Sequence, residues 1–435
     1  MRPSRLTLSA VLLLLAALWL IAVDPAASSV ILVPGDAPTI QGGIALAQPG
    51  DSVLVAPGTY PEHVQLVSGV SVIGQDPATT IIDGGNVAID VVQAISVSNV
   101  RFQGFTVTGA RSGGGLPGGA GVFVNFPAAT VVIANVVATL NDFGIAVFNG
   151  FNRQGPDILD CSIHDNTFYG ISNPGNGLLS GSVIYANLHG INQSGNSTRP
   201  QIVGNTIWGN SGDGFSYWND FAPTVRNNIF AMNGGYGIRE RAPGTFVDPI
   251  VEFNLFWMNT AGNYFDVQTQ TAWNTAAQIN ALPNADNNLV GDPLLCNPPA
   301  DFHLCVDSPA IGAGQGGATI GAFGAGCGAC GTTAVDHAPG LESTIRLSTR
   351  PNPFSTSTVI AIELEAPGRV TLRVYDAAGR AIRTLVDAPA GAGRFEVAWD
   401  GRIETGARAP VGTYLMALQV DEVEVHRKVT VLSRQ

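Results

Sequence analysis

Residues 139–145 read TLNDFGI, and five later phrases follow the same plan: HDNTFYGI (164–171), YANLHGI (185–191), WGNSGDGF (208–215), AMNGGYGI (231–238) and WMNTAGNYF (257–265). Each carries an asparagine, at positions 141, 166, 187, 210, 233 and 259. In the first five, glycine and then Ile or Phe follow. A recurrence every 21 to 26 residues with β-type content predicts a solenoid of stacked coils. Beside these phrases, apolar residues at even spacing suggest strands with one buried face: Ile133/Val137, Leu159/Ile163, Val183/Tyr185, Val203/Ile207, Val225/Ile229 and Val251/Leu255. Stacking sets equivalent strands about 4.8 Å apart, so roughly ten coils make a rod of about 50 Å. The asparagine is expected to face inward and bond the neighbouring coil's backbone, and the glycine to form a tight corner.

Composition narrows the function. Only 12% of the 435 residues are charged but 45% are hydrophobic, so the chain folds rather than staying disordered. A net charge of −12 argues against nucleic acid, whose phosphates need a basic face. Lys428 is the sole lysine, so any cationic chemistry before it falls to arginine.

Working back from the repeats, residues 30–85 hold a short amphipathic helix, Pro38 to Gln48, and then brief β-branched runs at 53–55, 64–66, 70–73 and 80–82. A helix ahead of a stack covers the apolar end and unpaired edges of the first coil. Before it, Arg2 and Arg5, an apolar run from Leu6 to Val23 and the small residues Ala26-Ala27-Ser28-Ser29 read as a signal peptide over 1–29, cleaved after Ser28 or Ser29. An uncleaved anchor is the alternative. Either reading puts the rest of the chain outside the cytoplasm, secreted or at the cell surface, with no membrane span after cleavage.

The segment TIQGGIALAQPGDSVLVAPGTYPEHV followed by SGVSVIG (39–64 and 68–74) resembles the opening coil of right-handed parallel β-helix proteins of the pectin-lyase-like superfamily. The Asn-Gly-Ile coils resemble the repeat that follows it there. That resemblance, over roughly 33–324, implies an all-β chain built on a right-handed parallel β-helix, which we place at 30–331. The superfamily holds lyases, hydrolases, esterases and adhesins, so the resemblance fixes no activity.

Two stretches depart from the repeat. Ser112 to Gly119 (SGGGLPGG) is expected to be a protruding loop, and 268–290 carries a candidate helix from Thr271 to Ala281. Residues 291–327, with DFHL, SPAIGAG and IGAFG, resemble the closing coil of the same secreted proteins. Gly, Ala and Thr dominate a linker, taken as 332–344. From 345 to 435 about seven alternating strands with Pro-Gly and Asp-Gly turns describe a small antiparallel β-sandwich. Pro351-Asn352-Pro353-Phe354, Val374-Tyr375-Asp376 with Gly379, Trp399-Asp400-Gly401 and Gly412-Thr413-Tyr414 resemble the immunoglobulin-like domain of the FlgD-like hook-capping family and of type IX secretion sorting domains. This resemblance implies export or surface attachment, with secretion machinery as partner.

Of five cysteines, Cys161 lies between Leu159 and Ile163 and reads as a small buried residue. Cys296, Cys305, Cys327 and Cys330 read as two disulfides with three possible connectivities, of which Cys296–Cys305 and Cys327–Cys330 is favoured. An eight-residue gap does not fit a zinc knuckle, and Cys327-Gly-Ala-Cys330 lacks the βαβ setting of a redox motif. His164 and His189 sit on different sides of their repeat asparagines and are read as surface or turn residues.

One cluster carries chemistry. Aligning Phe215 with Ile238 puts Tyr217 beside Glu240 and Trp218 beside Arg241, with Asp220 and Arg239 close by. On one outer face these would suit an acidic glycan: Tyr217, Trp218 and Arg241 to bind, Asp220, Arg239 and Glu240 to catalyse. A solvated face with a structural Arg–Glu pair is the alternative. Asp157, Asp160 and Asp165 do not align into a calcium site and the paired Asp motifs of pectin hydrolysis are absent, so no cofactor is expected, with calcium as the alternative that no visible site supports. The reading is a β-helix that binds or displays toward polysaccharide or a cell-surface glycan. A polysaccharide lyase or glycoside hydrolase, or a purely structural rod, are the alternatives.

Overall fold

The computed structural model describes residues 28–112, 118–125, 130–148, 155–194, 199–218, 223–241, 249–330, 345–352, 354–364, 367–376, 380–391, 393–420 and 423–432. The expected signal peptide (but for Ser28 and Ser29), the linker, most of the 112–119 loop and Asp220 lie outside them. The chain divides into two compact units, Met1–Thr333 and Ala334–Gln435.

The first unit is a parallel β-solenoid with three short strands per coil, such as Val131–Ala134, Val137–Thr139 and Phe143–Phe148. In coil order they build a first sheet of 11 strands and second and third sheets of ten each. Each sheet sends one column inward: Phe102, Ile133 and Ile158 in the first, Ala138, Ile163 and Ile184 in the second, Ile145, Ile171 and Ile191 in the third. All nine are fully buried, and this continuous column is the core of the rod.

Val183 and Tyr185 share one strand, but the other five apolar pairs read as single strands are two strands with a bend between them. Ile133 and Val137 flank Asn135, whose φ is 48°, and Leu159 and Ile163 flank Asp160, at 53°. One left-handed residue turns the chain and resets the alternation, so Ile158 rather than Leu159 fills the core. The next bend puts Leu140, Ala186, Met232 and Met258 at φ between 47° and 58°, each just before a repeat asparagine. This conformation crowds a Cβ, and the hydrogen bonds beside it hold the residue there.

Those bonds are the asparagine ladder. Asn187 donates from Nδ2 to Ile163 O in the preceding coil at 3.1 Å, and its backbone N–H donates to Asn210 Oδ1 in the next at 3.1 Å. The pattern runs from Asn141 to Asn259. A second ladder, Asn205, Asn228, Asn254 and Asn288, lines the corner between the first and second sheets. Ser182 and then Cys161 continue it. Cys161 is thus a ladder residue, its thiol pushed up to about 12 by burial. The repeat glycine serves stacking rather than a special turn: a Cβ on Gly144 would lie 2.6 Å from Gly170 O and 3.0 Å from Asn166 Nδ2.

Both ends are covered. Thr39 caps the helix Ile40–Leu46, which buries Ile40 and Ile44. At the far end Thr271–Trp273 runs antiparallel to Gly262–Asp266, and the helix is only Ala276–Ile279. Residues 291–327 add no closing coil. They fold back over the outer face of the second sheet, where the Phe302 ring lies 5.0 Å from Tyr185 and 5.7 Å from Trp208. Gly321 N–H donates to Asn227 O at 2.8 Å. The disulfides are Cys296–Cys327 and Cys305–Cys330, not the expected pairing. The strand Ala325–Cys327 lies parallel to Asp301–Cys305, so each hairpin cysteine meets a sulfur of the later segment rather than its hairpin mate.

The second unit is the expected seven-stranded sandwich. Ile345–Arg350, Thr358–Leu364 and Gly393–Trp399 form one antiparallel sheet, and Gly368–Tyr375, Ala381–Ala390, Gly412–Val420 and Val423–Val431 the other. Trp399 is fully buried between Phe354 and Tyr414, and its Nε1–H donates to Arg402 O at 2.9 Å.

Candidate ligand-binding trough

Side chains of the third sheet alternate between core and solvent, and this divides the predicted cluster. The register is as expected: Tyr217 pairs with Glu240, and Arg241 lies over the Trp218 ring at 6.0 Å. The common outer face is not. Tyr217 and Glu240 continue the inward alternation set by Phe215 and Ile238 and point into the rod. Tyr217 Oη donates to Glu240 Oε1 at 2.8 Å, Tyr264 Oη donates to the same oxygen, and Val267 N–H reaches Oε2 at 3.3 Å. Burial pushes the Glu240 carboxyl up, against the lowering pull of both phenols, and pushes both phenols well above their usual range. Both side chains are buried in this hydrogen-bonded cluster, on the inner side of their strands.

Trp218, Arg239 and Arg241 do face outward. Arg241 reaches across the sheet to Asp213 Oδ2 at 2.8 Å, and Arg239 approaches the same oxygen at 3.7 Å. Asp213 is buried, and its Oδ1 accepts Tyr236 N–H at 3.0 Å. Ser216, which pairs with Arg239 across the sheet, is fully buried. Arg239 also lies over the rings of Tyr236 and Phe265, at 5.5 and 5.7 Å. Both arginine Nε atoms are buried and have no hydrogen-bond partner among the described residues.

His189 belongs to this group rather than to an ordinary turn. Its Nδ1 accepts the Asp213 N–H at 2.9 Å, which places its proton on Nε2. Burial lowers its pKa, and the two arginines add to that against the opposing pull of Asp213. His164 is elsewhere, stacked on Tyr185 of the second sheet at 4.6 Å.

North of the bridge, toward lower residue numbers, the outer face opens into a trough of about 400 Å³. Its floor is Ser172 and Asn192, consecutive members of one outward row. Phe143 and Tyr169 form one wall, Asn173, Ser194 and Trp218 the other, and Arg241 closes the end. Phe143 packs on Phe168 and Tyr169 at 5.6 and 5.9 Å. The sequence did mark one wall: Phe143, Tyr169, His189, Asp213 and Tyr236 each precede the repeat glycine, and so stack on one edge. Among the described residues, three or more metal-capable side chains converge only at Cys296, Cys305 and Cys327, whose sulfurs are in disulfides.

Comparison with known proteins places these parts. Residues 84–256 match the right handed beta helix region family and residues 351–422 the FlgD Ig-like domain family. No curated protein matches the chain. Among solved structures, it is similar to the Dettilon tailspike protein at 11% identity, covering 90% of this chain and 94% of that one, with a TM-score of 0.41. The A-module of the Azotobacter vinelandii mannuronan C-5 epimerase AlgE4 gives 14%, 55%, 78% and 0.35 for the same quantities. The pectin methylesterase PemA from Erwinia chrysanthemi gives 13%, 55%, 80% and 0.29.

Proposed function

Since the chain carries a right-handed β-helix region and a FlgD Ig-like domain, we propose that it is an exported, surface-exposed protein that binds a polysaccharide along the outer face of its third sheet. The observation carrying this is the trough itself. Aromatic rings stand beside a floor of hydroxyl and amide groups, with a guanidinium at one end. Rings stack on sugar faces, and the polar floor supplies donors and acceptors for hydroxyls. The C-terminal sandwich serves export or attachment.

Binding is favoured over lysis or hydrolysis for a specific reason. Glu240 is sealed inside the rod, and Asp213 is neutralised by two arginines. Neither is placed to transfer a proton to a ligand in the trough. No cofactor is required in this reading. Calorimetric titration of the full chain against a panel of polysaccharides, with and without calcium, tests it. Expected are binding without new reducing ends or unsaturated uronate, and loss of that binding in Trp218→Ala. Turnover would overturn the non-catalytic reading, and silence across the panel would leave a structural rod.

A further inference from the structure

The two ends of the trough differ in chemistry, and that difference specifies a ligand. At one end stand two cations and one carboxylate: Arg239, Arg241 and Asp213. His189 beside them is held toward its neutral form, so this end carries a local positive charge in a chain whose net charge is −12. Arg241 is itself one of the residues that line the trough. The other end is apolar. Phe143 belongs to a cluster on the outside of the sheet with Ala120, Phe123 and Ala146, against which Phe168 and Tyr169 pack. From the Phe143 coil to the Arg241 coil there are four steps, about 19 Å at the strand spacing of a parallel sheet. A ligand lying along the trough therefore meets both ends at once.

We propose, building on the polysaccharide reading above, that the trough selects an anionic glycan that also bears a small apolar substituent. The anion lies at Arg241 and the substituent, an O-acyl ester or a 6-deoxy methyl, lies against Phe143 and Tyr169. A guanidinium N–H paired with carboxylate gives a charge-assisted bond, and an acyl or methyl group leaves water on the Phe143–Tyr169 shelf. A plain polyuronate would satisfy one end and leave the other wet. A neutral deoxy-glycan would do the reverse.

The test uses the full chain and four probes: a partially O-acetylated polyuronate, the same material after mild alkaline de-esterification, an oligosaccharide alternating a 6-deoxyhexose with a uronate, and a neutral glucan. The acetylated or the deoxy probe is expected to bind at least roughly tenfold tighter than the de-esterified polyuronate, a difference of the size one well-buried contact supplies; which of the two does so identifies the substituent. Tyr169→Ala should abolish that preference, so that the acetylated, deoxy and plain polyuronate probes bind alike to this variant. Arg241→Gln should lose the preference for anionic over neutral probes, and its thermal midpoint checks that the fold survives. A conservative Arg241→Lys should retain the charge preference. Equal affinity for acetylated, deoxy and plain polyuronate, or for the neutral glucan, overturns this inference and leaves polysaccharide binding standing. No binding by any probe overturns both.

Discussion

The outer faces of the second and third sheets start from similar material and end differently. Both carry aromatic residues at coil intervals: Tyr185, Trp208 and Trp257 on the second, Phe143, Tyr169 and Trp218 on the third. On the second face the segment 291–327 lies across the rings. Phe302, Leu304, Ala310 and Ile320 pack there, and the face becomes a second core. On the third face no described segment crosses the trough, and Trp218 stays 47% exposed. Aromatic residues recurring on an outward face thus mark a surface that gains by being covered. Whether the chain covers it with itself or leaves it for a ligand is decided by a segment elsewhere in sequence.

The same kind of substitution should therefore give opposite results on the two faces. Phe302→Ala removes a buried ring from the covered face and should lower the unfolding free energy by about 3 to 5 kcal/mol. It should also raise binding of an apolar dye, as Trp208 and Trp257 are uncovered. Denaturant titration with dye fluorescence measures both. Unchanged stability would mean that the segment is dispensable and that the two faces are alike.

A second prediction concerns the wall between trough and core. Glu240 has its carboxyl raised by burial above an ordinary value of 4.5. The folded state therefore binds a proton more tightly than the unfolded chain, so this group's stability contribution is full below the unfolded pKa. It is lost as pH rises through the folded pKa. Stability of the native protein relative to Glu240→Gln should fall as pH climbs above 4.5 and level off beyond the folded value. Thermal midpoints of both proteins across that range check it; a difference that stays flat would mean that Glu240 reaches solvent, and one that rises with pH that the phenol hydrogen bonds outweigh burial. A related readout is Cys161, whose thiol sits at about 12 and is fully buried. A thiol reagent at neutral pH should leave it unmodified until the protein unfolds.

Much of this was legible in the sequence, and the limits have a physical form. The asparagine ladder could be read because one buried amide per coil recurs in one place, with the stacking glycine close behind. The second ladder could not, because it begins with Cys161 and Ser182 before it becomes Asn205, Asn228 and Asn254. Three residue types fill one structural slot there. The register of Tyr217 on Glu240 and Trp218 on Arg241 followed from aligning Phe215 with Ile238. Their faces required the strand alternation of period two, which sends neighbours Tyr217 and Trp218 to opposite sides. The strands themselves were miscounted because a single left-handed residue, Asn135 or Asp160, turns the chain without Gly or Pro to announce it. The disulfide pairing depends on strand pairing between segments joined at separations of 31 and 25 residues, and the covering role of 291–327 on contacts across more than 100 residues of chain, as between Ala322 and Thr206; no local pattern records either.

The smallest expected effect on stability is the one that best separates the two faces. Trp218→Ala takes an aromatic ring from an exposed position, and its described ring contact is the cation–π approach of Arg241 at 6.0 Å. An exposed contact of this kind contributes about 0.5–1 kcal/mol at most, so the unfolding midpoint should move little. Arg241 keeps its bridge to Asp213, so the end of the trough remains closed. Glycan affinity, by contrast, should fall roughly tenfold or more if the ring stacks on a sugar. The result is read as a ratio with Phe302→Ala: large on stability and small on binding for the covered face, small on stability and large on binding for the open one. Should Trp218→Ala destabilise the protein as much as Phe302→Ala does, the third face is also a covered core and the trough is not a binding site.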